Sequence, residues 1–135
     1  MRSAGSRPLV RLTLRREFLR AARGRTVAAG GLVLQAQKRP PGEIADNGFR
    51  IGYTASKKVG NAVQRNRARR RLRAVANDVL TLKGEAGTDY VLIARNTTAQ
   101  RTYDELLADL TGALDRLARG GGEQRRHKGR SGARR

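Results

Sequence analysis

Between Arg65 and Arg73 the sequence RNRARRRLR sets six arginines within nine residues. The planar guanidinium fork suits bidentate contact with phosphate and stacking on bases, so this run points to polyanion binding rather than bond-breaking chemistry. At helical spacing, Ala68 and Leu72 anchor one edge to a core. Asn66, Arg70, Arg73 and Asn77 fall on the opposite face, with Arg67 and Arg71 beside them. Like charges on adjacent turns cost roughly a few tenths of a kcal/mol for each i,i+4 pair, and a phosphate backbone would remove that cost. Only Asp78 is near enough in sequence to neutralise the run. The competing readings are a solvated charged face or a localisation signal, and charge density alone does not separate RNA from DNA.

No other residues supply catalysis. A nuclease needs a general base, a carboxylate metal cage or a paired histidine arrangement. The one histidine, His127, falls in a basic tail; Asp104 and Glu105 start a helix, and Asp109 and Asp115 read as solubilising positions on it. The KKVGNAV segment lacks the spacing of a phosphate-binding P-loop. With no cysteine, a disulfide framework and a thiolate metal site are both excluded. No cofactor bound by the protein alone is expected, nor a small-molecule substrate.

Thirty Lys and Arg against eleven acids give a formal charge of +19 over 135 residues, which calls for nucleic acid or an anionic membrane as partner. No stretch reaches the length of a membrane-spanning helix, and Met1 to Val10 lacks the apolar run of a secretory signal, so a cytoplasmic protein without membrane contact is expected. The 38% hydrophobic content supports one modest core. The chain is expected to divide into a flexible N-terminus over 1–10, one folded basic domain over 11–119 and a disordered basic tail over 120–135.

The elements that would position the arginines follow from periodicity and caps. Thr13 is expected to cap a short helix with Leu14, Phe18 and Ala21 or Ala22 on one face, ended by Gly24. Leu32 to Gln37 reads as a strand, followed by a loop over Pro40 to Gly48. Phe49 to Ser56 alternates Phe49, Ile51, Tyr53 and Ala55 with polar or small residues, a half-buried strand expected antiparallel to the previous one. Asn61 caps a second helix reaching about Leu80, buried through Ala68, Leu72, Val75, Ala76 and Val79. Asp89 to Arg95 is a further strand. Thr102 and Glu105 form a capping box ahead of Leu106, Leu110, Ala113, Leu114 and Leu117. The order predicts an α+β fold.

The longer string SKKVGNAVQRNRARRRLR, Ser56 to Arg73, resembles the core motif of the bacterial ribonuclease P protein component. The resemblance extends to an upstream R-L-x-x-x-x-x-F element (Arg11, Leu12, Phe18), to RIGYTAS before the motif and to DYVLIAR after it, covering about Arg11 to Leu117. It implies a four-stranded sheet packed with three helices and a left-handed β-α-β crossover, where periodicity alone would suggest a right-handed one. It further implies a noncatalytic subunit of an endonuclease in tRNA processing. The partners would be the catalytic ribonuclease P RNA, which carries hydrolysis with its own magnesium ions, and precursor tRNA, whose single-stranded 5′ leader would lie between the first helix and the sheet.

The resemblance assigns catalytic-RNA contact to Lys57, Lys58, Asn61, Arg65, Asn66, Arg67, Arg69, Arg70, Arg71 and Arg73. Arg65 and Arg69 lean toward the core side of the helix, so packing or a salt bridge is the alternative for either. Phe18 matches a leader-stacking aromatic; an ordinary core phenylalanine is the other reading. Ala22 and Leu34 stand where the family often has further aromatics, which shifts leader binding toward Arg11, Arg20, Arg50 and Thr54, while Tyr53 reads as core. The rivals are a structural RNA-binding module, such as a ribosomal protein or RNA chaperone, and a DNA-binding helix for which only Asn66 offers base readout.

Overall fold

The computed structural model describes residues 9–12, 14–39, 49–85, 87–120 and 123–124. Strands β1 (Leu9–Arg11), β2 (Arg25–Ala28), β3 (Leu32–Lys38), β4 (Phe49–Thr54), β5 (Thr88–Ala94) and β6 (Glu123–Gln124) form one mixed sheet in the order β1-β4-β5-β3-β2-β6. Its body is the four-stranded unit β4-β5-β3-β2, extended at the two edges by the three-residue β1 and the two-residue β6. Helices α1 (Arg15–Ala22), α2 (Ala62–Lys83) and α3 (Tyr103–Ala118) complete the fold, so the expected α+β class of a four-stranded sheet with three helices holds.

The caps explain where the two long helices begin. The Asn61 carboxamide oxygen accepts from the Gln64 N–H at 2.9 Å while the Gln64 side chain accepts from the Asn61 N–H at 2.8 Å. Thr102 and Glu105 make the same reciprocal pair at 3.1 and 2.8 Å. Each pair satisfies two N–H groups that a helix start leaves without an intrahelical acceptor. Gly60, at φ +145°, supplies the turn into α2 in a conformation that disfavours a side chain.

Alternation sorts the sheet into two faces. Val27, Leu34, Leu92 and Tyr53 lie in register across β2, β3, β5 and β4 and face α2 and α3, forming the main core with Phe49, Ile51, Leu72, Val75, Leu106 and Leu110. The opposite face carries α1 over a smaller cluster of Leu12, Ala21 and Val91, with Phe18 and Ile93 packed against it. Both faces of β4 are therefore covered, and Gly52 shows why it is a glycine: a Cβ there would fall 2.3 Å from the Phe18 ring.

Several expectations need correcting. β3 and β4 run in opposite senses but are not neighbours, because β5 lies between them, antiparallel to β3 and parallel to β4. β4, α2 and β5 thus form the β-α-β unit. β2 has too few residues to display an alternation and went unread. β1 reaches back to Leu9, inside the segment expected to be flexible, and Glu123–Gln124 of the expected disordered tail pairs with β2. α2 runs on to Lys83. The first position of α1 is preceded by Leu14, which is exposed rather than packed. Thr13, the loop over 40–48 and His127 lie outside the described residues. Among those residues no helix is long and apolar enough to cross a membrane.

Candidate nucleic-acid interface

α2 buries Ala68, Leu72, Val75, Ala76 and Val79 as its spacing predicts, which leaves Arg67 and Arg70 on the side away from the core. Arg67, Arg70 and Arg73 are exposed, as are Asn61, Asn66, Lys57 and Lys58, so the first half of α2 and the turn before it present these basic and polar side chains to solvent. Arg65, Arg69 and Arg71 are half-buried and already bonded within the fold. Arg65 donates to the Gly60 carbonyl at 2.9 Å, Arg69 donates to the Asn66 side chain, and Arg71 donates to the Arg101 carbonyl ahead of α3. Helical spacing leans Arg65 and Arg69 toward the core side, whereas the half-burial of Arg71 comes from its contact with the segment ahead of α3.

Arg73 carries a further role. Its guanidinium lies 5.4 Å from the centre of the Tyr53 ring, a cation–π contact at the edge of the sheet. Tyr53 is 9% exposed and its hydroxyl is buried without a hydrogen-bond partner. Burial raises the phenol pKa from 10.0 to about 12, against the opposing pull of the positive charges on Arg73 and Arg11. The folded state therefore holds the phenol proton more tightly than the unfolded chain, and stability falls as pH rises from 10 to 12. Urea denaturation at pH 9 and pH 11.5 should show the natural protein losing on the order of 1–2 kcal/mol more than Tyr53→Phe. Parallel losses would mean that the hydroxyl is hydrated.

On the other face, Phe18 is half-buried over Gly52, and Thr54 stands half-exposed two residues further along β4. These two expected leader residues share that face of the sheet. Arg20 and Arg50 share that face but lie in an ion-pair cluster the sequence did not reveal. Asp89, 1% exposed, accepts from Arg50 at 2.8 Å through both carboxylate oxygens and from Arg39 at 3.2 Å, with Arg20 at 3.6 Å. Glu17 closes the cluster: one oxygen accepts from Arg50 at 2.6 Å and the other from the Leu14 N–H at 3.1 Å, tying the start of α1 to the sheet. Glu17 and Arg39 are 7% and 6% exposed. A lone carboxylate in the apolar run DYVLIAR was the available signal, since a buried charge requires a partner.

Two further corrections concern the cleft. Leu34 is wholly buried in the main core, because it pairs with Val27 and Leu92; its neighbour Gln35 is the β3 residue on the α1 side. Arg11 pairs with Ile51 and so belongs to the α2 face, near Tyr53 and Arg73, rather than to the cleft with Phe18. Arg15 and Arg16, not singled out from sequence, are exposed on α1 beside Phe18. Among the described residues no group of three or more His, Cys, Asp or Glu side chains is placed to hold a metal ion.

Residues 7–118 match the family model described as Ribonuclease P. The chain belongs to the ribonuclease P protein family. It is 54% identical over 107 residues to the ribonuclease P protein component of Ruegeria pomeroyi, covering 78% of this chain and 84% of that one. The ribonuclease P protein of Staphylococcus aureus superposes with a TM-score of 0.63 at 26% identity, over 79% of this chain and 94% of the other. That of Thermotoga maritima, at 24% identity, shares the fold with a TM-score of 0.64 over 78% and 96% of the two chains. The ribonuclease P fold accounts for the position of the arginine helix between two parallel strands.

Proposed function

We propose that this chain is the protein subunit of ribonuclease P in the cytoplasm, binding the catalytic RNA through α2 and the 5′ leader of precursor tRNA beside α1, so as to support endonucleolytic removal of the leader and broaden the range of substrates. The RNA, with its bound magnesium ions, carries the hydrolysis. The observation behind this reading is the exposure of Lys57 and Lys58 in the turn before α2 and of Arg67, Arg70 and Arg73 along the helix, in a chain of this family. Arginines placed there meet a phosphate backbone without disturbing the fold. Phe18 and Thr54 supply an aromatic edge and a hydroxyl on the far side of the sheet, as a single strand requires. Because Arg20 and Arg50 are engaged by Asp89, the leader's phosphates fall to the exposed Arg15 and Arg16 more than to those two.

Reconstitution tests the reading. Mixed with bacterial ribonuclease P RNA at physiological magnesium, the protein should raise cleavage of a leader-bearing precursor tRNA above that of the RNA alone; no gain would leave a structural RNA-binding module as the better assignment. Phe18→Ala should reduce affinity for leader-bearing precursor about 5- to 150-fold more than for mature tRNA, the worth of one lost base–aromatic stack. Equal losses on the two tRNAs would make Phe18 a packing residue only.

A further inference from the structure

We propose that Tyr53, Arg11 and Arg73 form a binding site for one phosphate group, supplied by a phosphodiester of an RNA backbone, on the α2 side of the sheet. The inference rests on the reading that α2 faces RNA and adds to it a defined subsite. Its core is the Tyr53 hydroxyl, buried in a nine-tenths-buried side chain and without a hydrogen-bond partner. Such a group normally finds a partner, so one that lacks it marks a place where a ligand completes the structure.

The charges around the hydroxyl say which ligand. Arg73 covers the Tyr53 ring from α2, and Arg11 approaches from the edge strand β1, paired in register with Ile51. Both guanidinium groups act on the phenol, as their shared pull on its proton shows. None of the ion pairs among the described residues involves either arginine, whereas Arg20, Arg39 and Arg50 on the opposite face all pair with Asp89. Two guanidinium forks outside those ion pairs and one neutral O–H donor match the non-bridging oxygens of a phosphodiester. Arg73 also belongs to the exposed set Arg67, Arg70 and Arg73, spaced by three residues along α2, so a strand tracking that set arrives beside Tyr53.

Tyr53→Phe tests the subsite, because it removes the hydroxyl and keeps the ring under Arg73. In the first arm, the full chain is melted in sodium phosphate and in sodium chloride of equal ionic strength at pH 7. The natural protein should gain more from phosphate than Tyr53→Phe does. In the second arm, affinity for an in vitro transcript of bacterial ribonuclease P RNA is measured across a salt series. Tyr53→Phe should weaken binding about tenfold with no change in salt slope, as expected for a lost hydrogen bond to a charged group. Arg11→Gln should lower the slope by roughly one, and its loss should be less than additive with that of Tyr53→Phe.

RNA binding unaltered in Tyr53→Phe overturns the proposal, and if the phosphate-specific gain nonetheless depends on Tyr53, the site takes free phosphate rather than RNA. The double variant Arg67→Ala plus Arg70→Ala separates this from failure of the underlying reading. If that variant binds RNA weakly while Tyr53→Phe binds normally, only the subsite is lost. If neither variant differs from the natural protein, α2 is not the RNA face and both fall.

Discussion

Asp89→Ala is expected to lower the unfolding free energy by about 3–5 kcal/mol, the usual result of removing one partner from a buried ion pair. Three guanidinium groups converge on this carboxylate, and Arg39 is itself nearly inaccessible. With Asp89 gone, Glu17 faces three positive charges within a desolvated cluster. For a domain of this size the change amounts to a fall in melting temperature of roughly 10–20 °C, measured by thermal denaturation. Asp89→Asn should cost less, because it keeps one acceptor. The exposed pair Lys83–Asp115, with each side chain nearly half accessible, serves as the contrast: Asp115→Ala should cost about 1 kcal/mol or less. If Asp89→Ala proved as mild as Asp115→Ala, the cluster would be hydrated rather than holding α1 to the sheet. Function should follow stability here, since Glu17 ties the helix that carries Phe18 to strand β4 through Arg50.

The residues that form this cluster show where the sequence stopped being informative. Glu17, Arg39, Arg50 and Asp89 lie on α1, the end of β3, β4 and β5, and only the sheet order brings them together. Local signals were legible: the Asn61 and Thr102 caps, the buried stripe of α2 and the apolar run of β5 all appear where their chemistry puts them, because each depends on residues within a few positions. Pairing was not legible. β3 and β4 are consecutive, so adjacency was the natural expectation, yet the β4–α2–β5 unit inserts β5 between them. One register decides that Leu34 enters the core and Gln35 the cleft, and another sends Arg11 to the α2 face. The basic face of α2 was readable because a 3.6-residue period fixes both its buried and its exposed sides. The cleft was not, since its lining comes from three strands and a helix whose relative register no single segment encodes.

Arg67→Ala combined with Arg70→Ala is expected to weaken binding of the catalytic RNA by about ten- to a hundredfold at physiological salt. Two exposed phosphate contacts are removed, each worth a charge-assisted hydrogen bond reduced by solvent screening. The slope of log affinity against log salt should flatten by roughly 1.5, because two fewer phosphates are neutralised. The folded state should respond in the opposite direction. Both side chains are exposed, and Arg67 sits one turn from Arg71 as Arg70 does from Arg73, so their loss relieves repulsion while alanine favours the helix. The melting temperature should therefore hold or rise. Arg71→Ala makes the distinction sharp, since Arg71 is half-buried and donates to the Arg101 carbonyl; its removal should cost stability by about 1 kcal/mol or more. A double variant that lost RNA affinity only by unfolding would melt earlier and keep its salt slope. Weaker binding, a flatter slope and undiminished stability together can arise only if the arginines serve the partner rather than the fold.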